Sequence, residues 1–578
     1  MNVQKILQEA SVLFQQGNFQ AAELSLRKVL RKNPTHVEAL TNLAIVNINL
    51  NKLDSAKDLF KKSLNIQFKD QTFKMYIQTL MQLKNWDLMI EDVKQFNKKN
   101  DEWVLLQIAI AYRENGDFTK SIEIFNEILE SSSQNIDIYI SYGFTLNKYE
   151  KFNSAISVYK SGLEIDPNHF ILNYNLGIVY ANINQTNQAV DQLEKASRLN
   201  SNNFNLWITL ASQYAKLRKS DSAFNALNEC KRIDPNNTLI QFQEATINMN
   251  LGNIDAAEVT LKDILKKEPE NIETNYHLGL IKLMQKDFEN LMPYYRYRTK
   301  RDNKFGEFDD FNLPNLDPLG KILIGWEQGI GDQFLYLRLM DEFTKIYKDV
   351  TYIATDKTKD AICDLYPELK VIGMTEYLSN ISKYKNYQKI NLATIINYIP
   401  ELKEKLNRKK NINLEELNFK NKLIGISWRS ENKKIGSEKS IDLALFEKFF
   451  RYKLNFVSLQ YGEVENEIEQ FNLSKSNQLL VEKELDYFND INGLLKLISR
   501  CDLIITISNI TVHLAGSMGV PTILLCPKSH GKLWYWFEDK NYSQFYPSVQ
   551  IIRQEKDRCW KKEFETIEDY LKLKNKLQ

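Results

Sequence analysis

The residues best suited to chemistry stand directly after apolar runs in the second half of the chain. The stretch SNITVHLAGSMGVP, residues 508–521, follows the run DLIITI. Ser508, Asn509 and Thr511 would place side-chain donors and free backbone N–H groups at the start of a helix, where proteins bind anions. His513 falls in the first turn of that helix. A structural role and contact with a bound anion are both open for this histidine, and its position favours the anion.

A second turn of this kind is WEQGIGDQF, residues 326–334, after the run KILIG. Gly329 and Gly331 form a Gly-x-Gly, but Phe334 stands where a dinucleotide-binding fingerprint has its third glycine. A carboxylate at Asp332 would also repel a pyrophosphate, so the pattern argues against a dinucleotide site. Asp332 could cap the helix or act as a general base, and both interpretations are open.

Two more strand ends carry polar side chains. In ISWRSENKKIGSEKS, residues 426–440, Arg429, Lys433, Lys434 and Lys439 lie among hydroxyl groups and suit a phosphate, although a solvated loop is the alternative. Gln460 ends the run NFVSLQ, and its amide could bind the edge of a nucleobase. All of these positions would be brought together if the runs were neighbouring strands.

The elements that position them follow a first half that repeats every 34 residues. Small residues recur at this spacing, at Ala10, Ala44, Ala109, Gly143, Gly177, Ala211, Ala245 and Gly279. A second small position lies twelve residues further on, at Ala22, Ala56, Ala155, Ala189, Ala223 and Ala257. One unit, around residues 70–100, is degenerate. Small residues allow paired helices to cross closely, so the period predicts an α solenoid over residues 1–300.

One register of this array is polar in every clear copy and never carries a fixed charge. It holds Gln8, Asn42, Gln107, Ser141, Asn175, Thr209, Gln243 and His277. In such solenoids the first helix of each pair lines the concave face. A solvated face is one interpretation, but the absence of Lys and Glu favours a ladder that binds the backbone of a protein acceptor. The candidate groove residues are Asn42, Gln107, Asn175, Thr209 and Gln243.

Residues 301–320 combine charge, two prolines and no helical period, and are predicted to form a linker. Beyond them, short apolar runs alternate with helical stretches, which is typical of parallel sheets. Strands are predicted at 321–326, 350–355, 370–374, 423–428, 455–461, 478–482, 502–507, 522–526 and 549–553, with a terminal helix at 562–577. A polar stretch divides this region into two lobes, residues 321–411 and 412–578. Ligands of such folds bind at the carboxyl ends of the strands, where the candidate residues lie.

Bulk properties bound the function. The chain of 578 residues has 76 basic and 74 acidic side chains, a net charge of +2, which gives no electrostatic case for nucleic acid or an anionic membrane. Five scattered cysteines, none spaced CxxC, predict free thiols in a reducing compartment. No apolar run reaches ~18 residues, and the N-terminus is not a signal peptide in character. We therefore expect a cytoplasmic protein.

The first half resembles tetratricopeptide repeats, whose small, aromatic and proline positions match at this period. The second half resembles GT-B glycosyltransferases, in particular the heptosyltransferase family. GIGDQF is similar to that family's Gly-Asp turn, and VHLAGSMGVPTILL to its His-Leu-Ala-Gly helix and following strand. The repeats combined with EQGIGD, SLQYG, WYWF, YPSV and IIRQ look most like bacterial flagellin-type protein glycosyltransferases.

The resemblance implies an α solenoid followed by an α/β GT-B-like domain of two Rossmann-like lobes, with Asp332 as catalytic base. The candidate residues for a nucleotide-sugar donor are Gly331, Arg429, Lys439, Gln460, Ser508, Asn509, Thr511 and His513. Heptosyltransferases usually have an Asp-Thr pair where Ser508-Asn509 stand here, which favours another donor, such as a CMP-linked nonulosonic acid. No Asp-x-Asp motif occurs in the sequence, so we expect neither a metal nor another cofactor.

Three functions are open. The first is transfer of a sugar from a nucleotide to a Ser or Thr of a protein acceptor, flagellin being the leading candidate, that the repeats recruit. The second is transfer to a surface or lipid-linked glycan of the lipopolysaccharide type, with the repeats used for assembly. The third is an interaction scaffold that binds nucleotide without turnover. A homo-oligomer is open in each case.

Overall fold

The computed structural model describes residues 3–96, 101–130, 134–302, 308, 310–327, 329–407, 417, 419, 422–432, 436–473, 477–528, 533–537, 540–556 and 559–576. The predicted cations Lys433 and Lys434, part of the predicted linker (303–307 and 309) and the predicted lobe boundary (408–416) lie outside these residues. The chain divides into two compact units, residues 1–213 and 214–578.

Seventeen helices, α1 to α17, account for most of residues 3–284. Their bounds are Val3–Gln15, Phe19–Lys32, Val37–Asn49, Leu53–Ile66, Asp70–Gln82, Trp86–Phe96, Glu102–Glu114, Phe118–Glu130, Ile136–Lys148, Phe152–Ile165, Phe170–Asn182, Thr186–Leu199, Phe204–Lys216, Ser220–Ile233, Thr238–Leu251, Ile254–Lys267 and Ile272–Met284. In the described residues they make eight helix pairs and one further helix, which confirms the predicted α solenoid. The first compact unit ends within α13, and the second begins there.

Small residues allow the helices of a pair to approach closely. Ala44 in α3 and Ala56 in α4 are completely buried. At Gly177 in α11, an added Cβ would lie 2.7 Å from Cγ of Leu193 in α12, too close for any side chain. Because protein interiors are close-packed, each small position fixes how near its neighbouring helix can lie.

The degenerate unit is a helix pair, α5 and α6, with large residues at the two small positions. Ile77 and Met89 stand there, and both are fully buried. Lys61 Nζ lies 2.9 Å from Oδ1 of the buried Asp92, and the Tyr76 hydroxyl donates a hydrogen bond to the same carboxylate. This unit therefore keeps the helical architecture while losing the sequence signature.

Ten strands follow, with bounds Lys321–Gly325 (β1), Asp349–Ala354 (β2), Lys370–Gly373 (β3), Gln388–Asn391 (β4), Leu423–Ser427 (β5), Asn455–Ser458 (β6), Leu479–Leu480 (β7), Leu503–Ile507 (β8), Thr522–Cys526 (β9) and Val549–Arg553 (β10). They form two sheets, ordered β3-β2-β1-β4 and β10-β9-β8-β5-β6-β7, with every neighbouring pair parallel. All nine predicted strands are confirmed. β4 was not predicted, because QKIN holds a single apolar residue.

Twelve helices lie around these strands. They are Met292–Tyr295 (α18), Tyr297–Asp302 (α19), Ile330–Leu337 (α20), Met340–Ile346 (α21), Lys359–Leu365 (α22), Met374–Ser379 (α23), Leu402–Asn407 (α24), Gly436–Lys439 (α25), Glu465–Asn472 (α26), Ile491–Ser499 (α27), Ile510–Met518 (α28) and Lys561–Lys576 (α29). Short 3₁₀ segments occupy Asp310–Asn312, Ile381–Tyr384, Leu392–Tyr398, Leu443–Arg451 and Trp534–Trp536. The predicted terminal helix is confirmed as α29. We call β1–β4 with their helices the first lobe and β5–β10 with theirs the second lobe.

The end of the repeat array packs with both sheets in the second compact unit. Leu283 and Leu291 share one apolar core with Leu337 of α20 and Trp536. Within the predicted linker, Phe308 is buried. The division between compact units falls at residue 213, and the last repeats bury apolar surface against the α/β part. The domain boundary at 301–320 stays a prediction.

Candidate functional site

Asp332 lies in the first turn of α20, directly beyond the carboxyl end of β1. The helix begins at the N-cap Gly329, and no side chain caps it. The carboxylate of Asp332 folds back over the turn. Its Oδ2 lies only 2.7 Å from the position that a Cβ on Gly329 would occupy. Among the described residues it has no hydrogen-bond or ion-pair partner. The helix-capping interpretation therefore lacks a hydrogen bond, and the carboxylate is available to another molecule.

Burial gives Asp332 an unusual acidity. Desolvation raises its pKa to about 6, although the positive charge of Lys439 acts in the opposite direction. Lys439, only 5% exposed, donates a hydrogen bond from Nζ to the Ser508 carbonyl oxygen over 2.8 Å. Burial lowers the pKa of Lys439 to about 8, against the effect of Asp332. Both pKa values are shifted toward neutrality, the range in which side chains can exchange protons at pH 7.

His513 lies in α28, where that helix packs against α20 of the first lobe. Its Nδ1 is 3.0 Å from the Tyr546 hydroxyl and its Nε2 is 3.4 Å from the Tyr535 hydroxyl. Burial, and secondarily the charge of Lys439, lowers the pKa of His513 to about 3. The imidazole is therefore neutral, with a tyrosine hydroxyl at each nitrogen. Its predicted contact with an anion stays a prediction.

Asn509 is the N-cap of α28. Its Oδ1 accepts a hydrogen bond from the Thr511 backbone N–H over 3.1 Å. Its Nδ2 donates to Ser427 Oγ over 2.7 Å and to the Arg429 carbonyl oxygen over 3.1 Å. One amide thus caps the helix and joins the ends of β8 and β5.

The hydroxyls next to this cap also have partners inside the protein. Ser508 Oγ accepts a hydrogen bond from Trp536 Nε1 over 2.7 Å. Thr511 Oγ1 donates to the Leu459 carbonyl oxygen over a longer 3.4 Å. The predicted anion site is therefore a tightly bonded corner, and what it offers a ligand is chiefly backbone N–H groups of the first turn.

Gln460 is buried at the end of β6. Its Oε1 accepts from Ser427 Oγ and from the backbone N–H groups of Trp428 and Arg429, over 2.7–3.1 Å. Its Nε2 donates to the carbonyl oxygens of Arg429 and Tyr461. Both ends of the Gln460 amide are therefore occupied, by bonds that stabilise the loop after β5. Its contact with a nucleobase stays a prediction.

The guanidinium of Arg429 lies beside the loop that Gln460 stabilises. Nη1 lies 3.4 Å from Glu467 Oε2 and Nη2 lies 3.6 Å from Glu431 Oε1, and the side chain is 39% exposed. Both ion pairs are long, and exposed pairs of this kind contribute little to stability. Of the predicted phosphate ligands at these strand ends, Arg429 is accessible and Lys439 is buried next to Asp332.

The structure places the groove residues on the first helices of their pairs. The side chains of Asn42, Gln107 and Gln243 make no hydrogen bond with any other described residue. Asn175 is hydrogen-bonded to the Tyr159 side chain. Thr209 Oγ1 donates to the Asn205 carbonyl oxygen over 2.8 Å. The amides of Asn42 and Gln243 are half-buried and unbonded, whereas that of Gln107 is unbonded but only 8% exposed.

Sequence reasoning missed the aromatic surroundings of the site. Tyr535, Trp536 and Tyr546 enclose His513, with ring centroids 5.4–5.7 Å from the imidazole. They lie more than twenty residues beyond His513 in the chain, and only the motifs WYWF and YPSV, quoted for the family resemblance, contain them. It also missed Arg298, which lies in α19 and whose partners come from three separate segments.

Within the described residues, no group of three or more His, Cys, Asp or Glu side chains is arranged to hold a metal ion. No helix in the same part of the chain is both long and apolar enough to cross a membrane.

Family models for the tetratricopeptide repeat match residues 13–87, 103–134 and 158–191. Together with the helix pairs, these matches establish tetratricopeptide-like repeats in the first half. Protein FlbA of Caulobacter vibrioides (strain ATCC 19089 / CIP 103742 / CB 15) is 28% identical over 142 residues, which are 24% of this chain and 23% of that protein. The chain thus matches less than a quarter of that relative.

Solved repeat structures are similar in part. The C-terminal part of a TPR repeat-containing protein from Cytophaga hutchinsonii is 18% identical, with a TM-score of 0.34, over 40% of this chain and 97% of that one. MamA from Desulfovibrio magneticus RS-1 is 16% identical, with a TM-score of 0.28, over 30% and 99%. YrrB, described as a TPR protein with an unusual peptide-binding site, is 16% identical, with a TM-score of 0.23, over 37% and 95%.

Proposed function

We propose that this protein is a glycosyltransferase that moves a sugar from a nucleotide to a hydroxyl of a protein acceptor. The observation that carries the proposal is Asp332: a carboxylate without a partner among the described residues, with a pKa raised to about 6 by burial. It stands at the carboxyl end of a parallel sheet, which is where α/β proteins bind ligands. A second parallel sheet contributes Lys439 and the start of α28 to the same place.

In this mechanism Asp332 accepts the proton of a Ser or Thr hydroxyl as the hydroxyl oxygen attacks the anomeric carbon. The new bond between that oxygen and carbon forms while the bond from the carbon to the phosphate oxygen breaks. The electron pair leaves with the nucleotide phosphate. Lys439 and the backbone N–H groups at the start of α28 stabilise the departing negative charge. A general base of this pKa is mostly ionised at pH 7 and still basic enough to accept the proton.

The repeat array supplies the acceptor in this proposal. Asn42 and Gln107 in the first compact unit and Gln243 in the second present amides that other described residues leave unbonded. An amide can donate to a carbonyl and accept from an N–H, so it suits the backbone of an extended chain. Flagellin, or another protein carrying a hydroxyl acceptor, is the class of substrate that this arrangement fits.

A second candidate is an interaction protein that binds nucleotide without turnover. The tetratricopeptide-like repeats favour it, because stacked helix pairs form an extended concave surface for a protein partner. In the alternative with a glycan acceptor, the same site transfers the sugar and the repeats are used for assembly.

Incubation of the full chain with a panel of nucleotide sugars, with and without a flagellin acceptor, tests the proposal. We expect one donor to be consumed and its sugar to appear on the acceptor by intact-mass spectrometry. Asp332→Asn should abolish transfer, while Asp341→Asn, an exposed carboxylate on α21, should not. Donor binding without turnover by the wild type would support the interaction protein, and transfer only to a free glycan would support the glycan enzyme.

A further inference from the structure

The last helix before the sheets, α19, carries a buried arginine. Arg298 is 4% exposed, and a buried guanidinium is costly unless it is paired and hydrogen-bonded. It forms an ion pair with Asp310, and its Nη2 lies 3.2 Å from Glu327 Oε1. The same Nη2 donates to Asn391 Oδ1 over 2.9 Å and to Thr394 Oγ1 over 3.3 Å. Arg298 thus joins the end of the repeat array to the carboxyl ends of β1 and β4.

Glu327, the ion-pair partner of Arg298, stands at the start of the turn before α20. It lies two residues before Gly329, where the helix is capped. From the far side of the turn, Gln333 Nε2 donates to the Glu327 carbonyl oxygen over 3.1 Å. Gln333 Oε1 in turn accepts from the Thr358 hydroxyl over 3.1 Å. Both sides of the turn that holds Asp332 are therefore fixed by buried hydrogen bonds, and Arg298 is the cation at one end.

A second contact runs beside the first. The hydroxyls of Tyr295 in α18 and Tyr336 in α20 are 3.1 Å apart and both buried. Tyr336 is one helical turn beyond Asp332, so the two side chains lie on the same face of α20. The guanidinium carbon of Arg298 lies 4.9 Å from the centre of the Tyr295 ring. The segment that ends the repeats therefore holds α20 at its start and in its middle.

We propose that Arg298 is a positioning residue, through which the end of the repeat array holds the Gly329–Gly331 turn and sets the place of Asp332. This inference rests on the proposed function for the role of Asp332, but the contact itself does not. Arg298 touches neither donor nor acceptor and acts through Glu327. A partner on the repeats that moved α19 would move the carboxylate with it.

Hydrogen exchange of residues 329–337 tests the contact independently of catalysis. Arg298→Lys keeps the charge but loses the planar fork that reaches Asp310 and Glu327 together. We expect exchange in this segment to become about tenfold faster, since a buried network no longer holds it. Arg301→Lys is the matched control, because Arg301 is in the same helix and bonds Glu273 at the surface. Equal exchange at 329–337 in the two variants overturns the proposal.

Activity provides the second readout, with Glu327→Gln in reserve if Arg298→Lys does not fold. For Arg298→Lys and Glu327→Gln we expect kcat to fall about tenfold or more, with the acceptor KM unchanged, since a misplaced base slows chemistry without weakening binding. A folded variant with unchanged exchange and unchanged kcat counts against positioning. If the wild type transfers no sugar at all, the proposed function fails, while the exchange experiment still decides whether Arg298 holds the turn.

Discussion

Gly331 in α20 and His513 in α28 meet where the two lobes pack against each other. A Cβ on Gly331 would lie 3.0 Å from His513 Cδ2 and 3.2 Å from its Nε2. The imidazole has no room to retreat, because the hydroxyls of Tyr535 and Tyr546 hold its two nitrogens. Close approach, and not a left-handed backbone, is therefore the reason for glycine at position 331.

Gly331→Ala is expected to lower the free energy of unfolding by about 1–3 kcal/mol, the usual cost of overpacking a well-packed contact. Urea denaturation of the full chain measures it. In a double-mutant cycle, Gly331→Ala should cost less when His513→Ala has already made room for the methyl group. Equal costs in both backgrounds would show that the two residues do not press on each other.

The acidity of Asp332 predicts how activity depends on pH. Its folded pKa is about 6, so the base is lost to protonation as pH falls through 6. We expect kcat to decline about tenfold for each pH unit below that point. The pH–rate profile of the wild type measures this, and a profile flat from pH 7 to pH 4.5 would remove Asp332 from the role of base.

The raised pKa of Asp332 also predicts how the free energy of unfolding depends on pH. Its folded pKa lies above the usual value near 4, so the ionised form is disfavoured in the fold, and stability falls between pH 4 and pH 6 and stays lower above it. Asp332→Asn should therefore be more stable than the wild type at pH 8 and similar to it at pH 4. Asp341→Asn, at an exposed position, should show no such trend. Thermal unfolding at the two pH values distinguishes them.

Lys439→Met is expected to weaken donor binding. The buried ammonium is hydrogen-bonded to the Ser508 carbonyl oxygen, just before the start of α28, so its loss should raise the donor Kd about tenfold or more. The folded pKa of Lys439, about 8, is below its usual value. The unfolded chain therefore binds more protons between pH 8 and 10, and the wild type gains stability there as pH rises. The variant should lose that gain. Lys448→Met, which removes a cation paired with Glu568 on another face, is the control for both titration calorimetry and unfolding.

The architecture could be predicted from the sequence because it depends on periodic signals. The 34-residue spacing gave eight helix pairs and a half-unit, and apolar runs gave nine of ten strands. The failures have local causes. β4 was missed because its pairing with β1, and not its own composition, makes it a strand. The unit at α5 and α6 looked degenerate because Ile77 and Met89 fill positions that are small elsewhere.

For the site, the sequence predicted where the backbone of the residues lies but not which side chains they contact. The strand ends placed Lys439 and Asn509 near one another, since carboxyl ends of parallel strands in one sheet meet at one edge, whereas Asp332 follows a strand of the other sheet. The hydrogen bonds that occupy Gln460 and His513 could not be foreseen, because their partners come from segments 20 to 35 residues away. The ion pairs of Arg298 could not be predicted for the same reason, because they form only when α19 packs on the first lobe.

The amides of the repeat array predict how the acceptor is bound. Asn42 and Gln107 are both in the first compact unit, on α3 and α7, and neither bonds another described residue. Each lost hydrogen bond costs about 1 kcal/mol, or roughly fivefold in affinity. The double variant Asn42→Ala/Gln107→Ala should therefore raise the KM for the protein acceptor about 25-fold while leaving kcat unchanged.

Ser154→Ala/Ser157→Ala is the matched control, because it removes two exposed polar groups from α10, the second helix of its pair. Surface substitutions of this kind stay within about 0.5 kcal/mol, so its KM should equal that of the wild type. Steady-state transfer to the intact acceptor measures both variants. Equal KM values for the two double variants would place the acceptor elsewhere, since a groove that binds through these amides cannot lose both without losing affinity.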